Sequence, residues 1–257
     1  MKKDIFVSTA VLQESLPLPG FLSRTRFADQ PANQLADQPV DLCGLIGDRA
    51  WRRLHPAIRQ RFGTSNKGGE KHLYQGRMDK VQASWFGIVM AWVSRLFGTP
   101  MAWSQGENVA CDVYTYEDKK RPGGTVWERH YYFSDQNTQI ARTTKIITND
   151  KGLLECFGGG LGMSLKLEEK AGALCFISTA FFIEINKTRI PLPRWISPGT
   201  LEVTHRHAGP DRFQFTLEVF HPLFGQTVFQ DGYFSEKEIT DGAGTWPACD
   251  TGTPGRI

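Results

Sequence analysis

The chain has 257 residues, of which 40% are hydrophobic, 12% aromatic and 22% charged, and its formal charge is +3. This composition is typical of a folded globular protein, and it excludes a disordered chain or one dedicated to nucleic acid. The weak positive balance points to no particular partner, and we expect no nucleic acid among the partners.

The chain ends differ in composition from the middle. Residues 1–40 are rich in Pro, Gln, Asp and Ala, which predicts a loosely ordered arm, and residues 238–257 predict a C-terminal tail. A single α+β domain is expected over residues 41–237. Asp4 interrupts the short apolar run after the two first lysines, so we expect no signal peptide. Five scattered cysteines without a CxxC pair favour reduced thiols and a cytoplasmic location.

The segment that begins at Asp41 is predicted to be a helix, because its apolar residues recur at helical spacing. These residues are Leu42, Ile46, Ala50 and Leu54. Pro56 ends this helix or begins a second short one, with Ile58 and Phe62 facing inward. Several arginines on the other side form either an anion-binding face or an ordinary solvated face. They are Arg49, Arg52, Arg53, Arg59 and Arg61.

The most apolar stretch, residues 81–98, has nearly the length of a membrane span. It contains Gln82, Ser84, Ser94 and Arg95, which favours a buried or interfacial helix over a spanning one. We expect this helix, from Trp85 to Phe97, to plug or line a cavity of the domain.

From residue 108 onward, nearly every segment alternates with a period of two and ends at a Gly, Pro, Asn or Asp turn. Residues 71–81 are predicted to form an earlier strand that contains a glycine. Short connections join antiparallel neighbours, whereas parallel pairing would need crossover helices. We therefore predict a mainly β, α+β fold in which a strongly curved antiparallel sheet of roughly eight or nine strands forms a barrel or half-barrel. The N-terminal helices and the apolar helix pack on it or in it.

Several short motifs occur in a common order along residues 42–236. They are LIGDRAWRRLHPAIRQRF, YQGRM, Trp127-x-Arg129, Glu155-x-Phe157-Gly158, PLP, and HPLFG with Gly232. In this order they resemble an uncharacterised bacterial family of domains of unknown function, whose members occur alone or fused to saccharopine-dehydrogenase-like oxidoreductases. One position departs from the pattern, because Thr125 stands where a glycine is expected. The resemblance implies an oxidoreductase as a candidate partner and carries no activity.

Strand alternation in TVWERHYYF places Trp127, Arg129, Tyr131 and Phe133 on one face, which is the better candidate for the barrel interior. A guanidinium there needs an acceptor, and Glu155 is the predicted partner because it also lies among apolar residues of a strand. The pair either forms the polar end of an apolar pocket and orients a ligand's carboxylate, phosphate or hydroxyl, or is a structural ion pair between strands.

The segment IPLPRWISPGT joins two predicted strands and contains three prolines. Pro191 and Pro193 lack a backbone donor, so this segment is expected at a sheet edge or across the barrel mouth. Trp195 and Ile196 would then cover the opening, and a plain structural corner is the alternative. The predicted ligand-binding residues are Arg129, Glu155, Trp127, Tyr131 and Trp195.

Two further motifs are weak indicators of a cofactor or metal. His205 and His207 alternate onto one face, but Asp211 belongs to the turn AGPD and not to their strand. The run FGGGLG, residues 157–162, precedes a strand and not a helix, which predicts a bend and not a phosphate loop. We therefore predict neither a metal nor a cofactor.

Three functions remain open from the sequence. The first is binding of a hydrophobic or lipid-like small molecule in a pocket of the curved sheet. The second is an isomerase, cyclase or decarboxylase-like enzyme that uses Glu155 as acid or base and Arg129 to hold an oxyanion. The third is a module that docks on an oxidoreductase or a membrane surface through Trp85, Trp92 and Phe97.

Overall fold

A computed structural model describes residues 40–63, 71–96, 104–134, 137–148, 152–186, 188–193 and 195–239. The predicted arm and tail, residues 1–40 and 238–257, lie almost entirely outside these ranges. Four helices and eleven strands occur in the described part of the chain. They are α1 Leu42–Ile46, α2 Asp48–Arg53, α3 Pro56–Gly63, β1 His72–Ala83, α4 Trp85–Leu96, β2 Gly106–Glu117, β3 Thr125–Tyr132, β4 Gln139–Thr148, β5 Gly152–Cys156, β6 Leu161–Lys170, β7 Ala173–Ile185, β8 Thr188–Pro191, β9 Thr200–His207, β10 Phe213–His221 and β11 Gly225–Lys237.

The strands form one antiparallel sheet that closes on itself. The order of hydrogen-bonded neighbours is β6, β5, β4, β3, β2, β1, β11, β10, β9, β7, and β7 pairs again with β6. Ten strands therefore make a closed barrel, and β8 extends β7 at one side. The predicted fold class is confirmed, and the wall contains slightly more strands than the roughly eight or nine expected.

The N-terminal region forms three short helices. Asp41 caps α1 by accepting a hydrogen bond from the backbone N–H of Gly44 at 3.1 Å. The prediction of one helix from Asp41 is wrong, because the chain breaks between α1 and α2 at Gly47, whose φ is 83°. That left-handed conformation is readily adopted by glycine and ends the helical repeat. Pro56 begins α3, as predicted, since its fixed φ suits the first turn.

These helices close one end of the barrel. Ile58 and Phe62 are buried, and the Phe62 ring packs against Phe176 at 5.8 Å and Trp127 at 6.2 Å. The arginines of this region do not share one anion-binding face. Arg53 forms an exposed ion pair with a carboxylate of β6, and Arg61 enters the interior and lies 3.5 Å above the ring of Phe213.

Helix α4 lies at the opposite end of the barrel. It follows β1 directly, and the backbone N–H of Ser84 donates to the carbonyl oxygen of Thr227 at 2.9 Å. Gly87 allows α4 to approach β11 closely, because a Cβ at that position would lie 2.2 Å from the same carbonyl oxygen. Among the described residues, no helix is long and apolar enough to cross a membrane.

Two predicted turns are confirmed. The chain after Phe157 makes one turn of 3₁₀-helix at Gly158–Gly160 and continues into β6, so FGGGLG is a bend. Asp211 lies in the short connection between β9 and β10, with a φ of 54°. It is therefore separated from the strand that carries His205 and His207.

Candidate functional site

A cavity of about 270 Å³ occupies the half of the barrel interior that faces α4. Its walls are mainly aliphatic and aromatic side chains of seven strands and of α4. They include Met90, Ala141, Met163, Phe181, Ile183, Leu201, Val203, Leu217 and Val219. The other half of the interior is occupied mainly by the aromatic core beneath α1–α3. A polar layer, called the floor here, separates the two halves. It consists of Arg129, Thr143 and Glu155, which line the cavity, and Lys145, which borders the space below it.

Glu155 is held from two sides by residues of β4. Its Oε1 lies 3.0 Å from Nζ of Lys145 and accepts a hydrogen bond of 2.7 Å from the hydroxyl of Thr143. The register explains this contact, because Lys145 and Glu155 are directly opposed on neighbouring strands. Both side chains are almost completely buried. Glu155 therefore belongs to a tight ion pair inside the wall.

Arg129 lies on the same floor and is 6% exposed. Its guanidinium carbon is 5.4 Å from the ring centroid of Phe215. Among the described residues, none accepts a hydrogen bond from this guanidinium, and no carboxylate lies within ion-pair distance of it. The predicted direct pair between Arg129 and Glu155 is therefore wrong, because Lys145, one strand nearer, takes that place. Both groups nevertheless border the same cavity.

The charges of the floor act on one another inside the barrel, where they are shielded from bulk water. Burial would raise the pKa of Glu155, but Lys145, Arg129 and the Thr143 hydroxyl together lower it below its ordinary value. Burial lowers the pKa of Lys145, against the raising effect of Glu155. Glu155 is thus kept ionised, which makes it a poor proton donor at neutral pH. This argues against the acid in its predicted role as acid or base, and the role as a base stays a prediction.

His205 lies below the floor, among aromatic rings. Phe62, Phe176, Phe213 and Phe215 surround its imidazole at centroid distances of 5.0–5.9 Å. Burial and the nearby cations Arg61, Lys145 and Arg129 lower its pKa well below the ordinary value, so it is neutral. Among the described residues, no three His, Cys, Asp or Glu side chains converge as metal ligands do. His207 instead stacks on His55 at 3.8 Å.

The cavity opens between α4 and the proline-rich segment 192–198. Val93 and Ile196 both line the cavity and reach the surface, with exposed fractions of 39% and 45%. Leu192 and Pro198 also line it, so this segment forms part of the rim. Trp195, in contrast, is 75% exposed and does not contact the cavity.

The surface around this opening is apolar. Trp85 and Trp92 of α4 are 67% and 56% exposed, and the turn between β10 and β11 exposes Leu223 and Phe224. The ring of Phe224 contacts Trp85 at 5.5 Å. Phe97, which the sequence added to this surface, lies outside the described residues.

Three of the five residues that the sequence predicted as ligand-binding line the cavity. Arg129, Glu155 and Tyr131 line it, and the hydroxyl of Tyr131 donates to the side chain of Gln230 at 2.9 Å. Trp127 lies below the floor and borders a smaller cavity of about 60 Å³. Trp195 points outward. Sequence reasoning missed Lys145, although the few residues between β4 and β5 in the sequence favour a hairpin that opposes Lys145 to Glu155.

Fold and site together define a closed antiparallel β-barrel with an internal, mainly apolar cavity and a charged floor. The chain belongs to the family described as domain of unknown function (DUF4166), which it matches over residues 54–234. This confirms the broad form of the resemblance, and the bacterial origin and oxidoreductase fusion stay predictions. The chain matches no curated protein and no solved structure.

Proposed function

We propose that this protein binds a hydrophobic small molecule inside its barrel, with the polar end of the molecule at Arg129. The observation that supports this most directly is the cavity itself. Protein interiors are normally packed with few voids larger than a water molecule, whereas this barrel leaves about 270 Å³ unfilled above a charged floor. An apolar wall with a few convergent polar groups is the usual form of a small-molecule site.

The residues at the rim of the cavity support the proposal that the ligand enters at the α4 end of the barrel. Val93 and Ile196 connect the cavity to the surface, and the exposed apolar side chains around them shield a hydrophobic ligand from water as it enters. The volume lies just below the range of about 300–1,000 Å³ that is typical of ligand pockets. We therefore infer a compact ligand or one with a short chain.

The proposal is tested by filling the cavity. Ala141→Phe introduces a ring into the cavity from β4, and Ile140→Phe introduces the same ring on the outer face of the same strand. The probe is aminoanthracene, a small neutral fluorophore whose emission reports an apolar environment. We expect wild type and Ile140→Phe to bind it alike, and Ala141→Phe to bind it at least about tenfold more weakly.

Native mass spectrometry of the purified protein provides a second readout. A retained small molecule would appear as a mass adduct that is present in Ile140→Phe and absent in Ala141→Phe. Failure of the wild type to bind aminoanthracene, or equal binding by both variants, would contradict a ligand site inside the barrel. Thermal unfolding of both variants shows whether each is folded when it is measured.

A further inference from the structure

We infer that the ligand is an amphiphile with a single negative charge, a carboxylate, whose charged end binds Arg129 and whose apolar end points toward α4. This inference rests on the proposed function, because it specifies the chemistry of a ligand in the same cavity. It is carried by a buried cation that has no partner among the described residues, by the balance of charges on the floor and by the apolar walls above it.

Arg129 is the group that an anion would satisfy. It is 6% exposed and borders the cavity, and its guanidinium has no hydrogen-bond acceptor and no carboxylate partner among the described residues. An unpaired charge removed from water costs several kcal/mol. A guanidinium presents a planar fork of N–H donors that matches the two oxygens of a carboxylate. A bound carboxylate would offset that cost.

The balance of charges favours a monoanion. The floor contains the cations Arg129 and Lys145 and one carboxylate, Glu155, which leaves an excess of one positive charge. The neighbouring His205 is neutral. A carboxylate cancels the excess, whereas a phosphate monoester, with a charge of about −1.5 to −2, would reverse it. A hydroxyl group would leave the excess in place.

Two other cations among the described residues lie close to the cavity, Arg142 and Arg61. Arg142 borders it, but its side chain is 56% exposed, so water screens its charge, and its Nε lies 3.8 Å from Oε2 of Glu128. Arg61 borders the smaller cavity beneath the floor, and its guanidinium lies on the ring of Phe213. Burial lowers its pKa to about 10, against the raising effects of Tyr74 and Glu236. It therefore adds positive potential from below and offers no second contact to a ligand in the main cavity.

The apolar walls set the orientation. Above Arg129 the cavity is lined by side chains such as Met163, Leu201 and Val219, and α4 closes it with Met90 and Val93. A ligand that places its charge at the floor must therefore place its hydrocarbon part toward the opening. Burial of that part contributes about 0.8 kcal/mol per methylene group.

The experiment compares three probes of equal chain length by isothermal titration calorimetry: decanoate, decanol and decyl phosphate. We expect wild type to bind decanoate at least about tenfold more tightly than either of the others. Arg129→Met should weaken decanoate binding at least about tenfold, to the level of decanol, and should leave decanol binding nearly unchanged. Arg206→Met, which removes an exposed arginine from the outer face of β9, should bind all three as wild type does.

Two further variants test the charge balance and not only the contact. Glu155→Gln raises the excess to two positive charges and should shift the preference from decanoate toward decyl phosphate. Arg129→Lys retains the charge without the fork and should keep part of the preference for decanoate over decanol. Circular dichroism spectra verify that each variant is folded.

The outcomes separate this inference from the proposed function. Equal binding of decanol and decanoate by wild type, tighter binding of decyl phosphate than of decanoate by wild type, or undiminished decanoate binding by Arg129→Met overturns the carboxylate and leaves a neutral or different ligand in the cavity. If wild type binds none of the probes and also fails to bind aminoanthracene, the proposed function is itself overturned.

Discussion

Lys145 and Glu155 face each other across β4 and β5, with Nζ and Oε1 3.0 Å apart inside the barrel wall. Arg129 lies on the same floor and pairs with neither of them. Its positive charge nevertheless lowers the pKa of both groups. The consequence of removing any one of them therefore depends on the two that remain.

Removal of Glu155 should be more damaging than removal of Lys145. Glu155→Gln leaves two buried cations without a carboxylate, and we expect the free energy of unfolding to fall by about 3–5 kcal/mol. Lys145→Met leaves Arg129 and Glu155, one charge of each sign, and should cost less. Urea denaturation measures both values. Equal losses would show that Arg129 does not interact with this pair.

Arg129→Met should stabilise the ligand-free protein. The substitution removes a buried cation that has no partner among the described residues and leaves the Lys145–Glu155 pair balanced. We expect the free energy of unfolding to rise by about 1–3 kcal/mol, measured by the same denaturation. Arg129→Lys keeps the charge and should show no such gain. A loss of stability in Arg129→Met would mean that contacts such as that with Phe215 outweigh the cost of desolvation.

Stability should fall in acid because of His205. Its folded-state pKa lies well below 6.5, so below about pH 6.5 the unfolded chain takes up a proton that the folded chain does not. The free energy of unfolding then decreases by up to about 1.4 kcal/mol for each pH unit. His205→Leu should remove this slope. Glu155, whose pKa is also lowered, adds a loss only below about pH 4.5.

The pH experiment has an internal control in His207, which is only half-buried and stacks on His55. His207→Leu should retain the slope between pH 6.5 and 5 that His205→Leu loses. If both variants keep the wild-type slope, a different group is responsible for the acid sensitivity.

Gly87→Ala tests how tightly α4 is seated on the barrel. Alanine is a better helix former than glycine by about 1 kcal/mol, so helix propensity alone predicts a gain. In the structure the added methyl group would lie 2.2 Å from the carbonyl oxygen of Thr227, and we expect a loss of about 1–3 kcal/mol instead. The sign of the change in melting temperature decides between them. Val89→Ala, at an exposed site of the same helix, should be nearly neutral.

Local patterns were sufficient to predict the strands and their faces. Alternation placed Arg129 and Tyr131 inside, and the same reasoning placed Glu155 inside, because the two-residue repeat of a strand leaves little freedom. Pro191 and Pro193, which lack a backbone donor, predicted an edge position, and Pro191 ends the edge strand β8. Helix boundaries could not be predicted in the same way. The apolar repeat continues on both sides of Gly47, so it does not reveal that the helix breaks there.

Contacts between distant strands could not be read from local patterns. Closure of the barrel depends on β1 pairing with β11 and on β7 pairing with β9 past β8, and neither pairing follows from alternation alone. The partner of Glu155 was misassigned for a related reason. Arg129 was chosen as the partner because it is charged and faces the barrel interior. Which side chains meet depends, however, on the register of the strands, and the register of β4 and β5 places Lys145 directly opposite Glu155.

One edge of strand β7 pairs with β6, and its other edge is shared by two strands. Leu174 to Ile177 pair with β9, and Phe182 to Ile185 pair with β8. Between these two ladders, the hydroxyl oxygen of Ser178 accepts from the backbone of Leu201, and the carbonyl oxygen of Phe181 accepts from that of Leu192. The barrel thus contains a seam beside its mouth where β8 and β9 diverge. Separation of β7 from β9 at this seam would widen the cavity opening without breaking a continuous row of backbone hydrogen bonds. A bound molecule would then be exchanged while the other strand pairs stay intact.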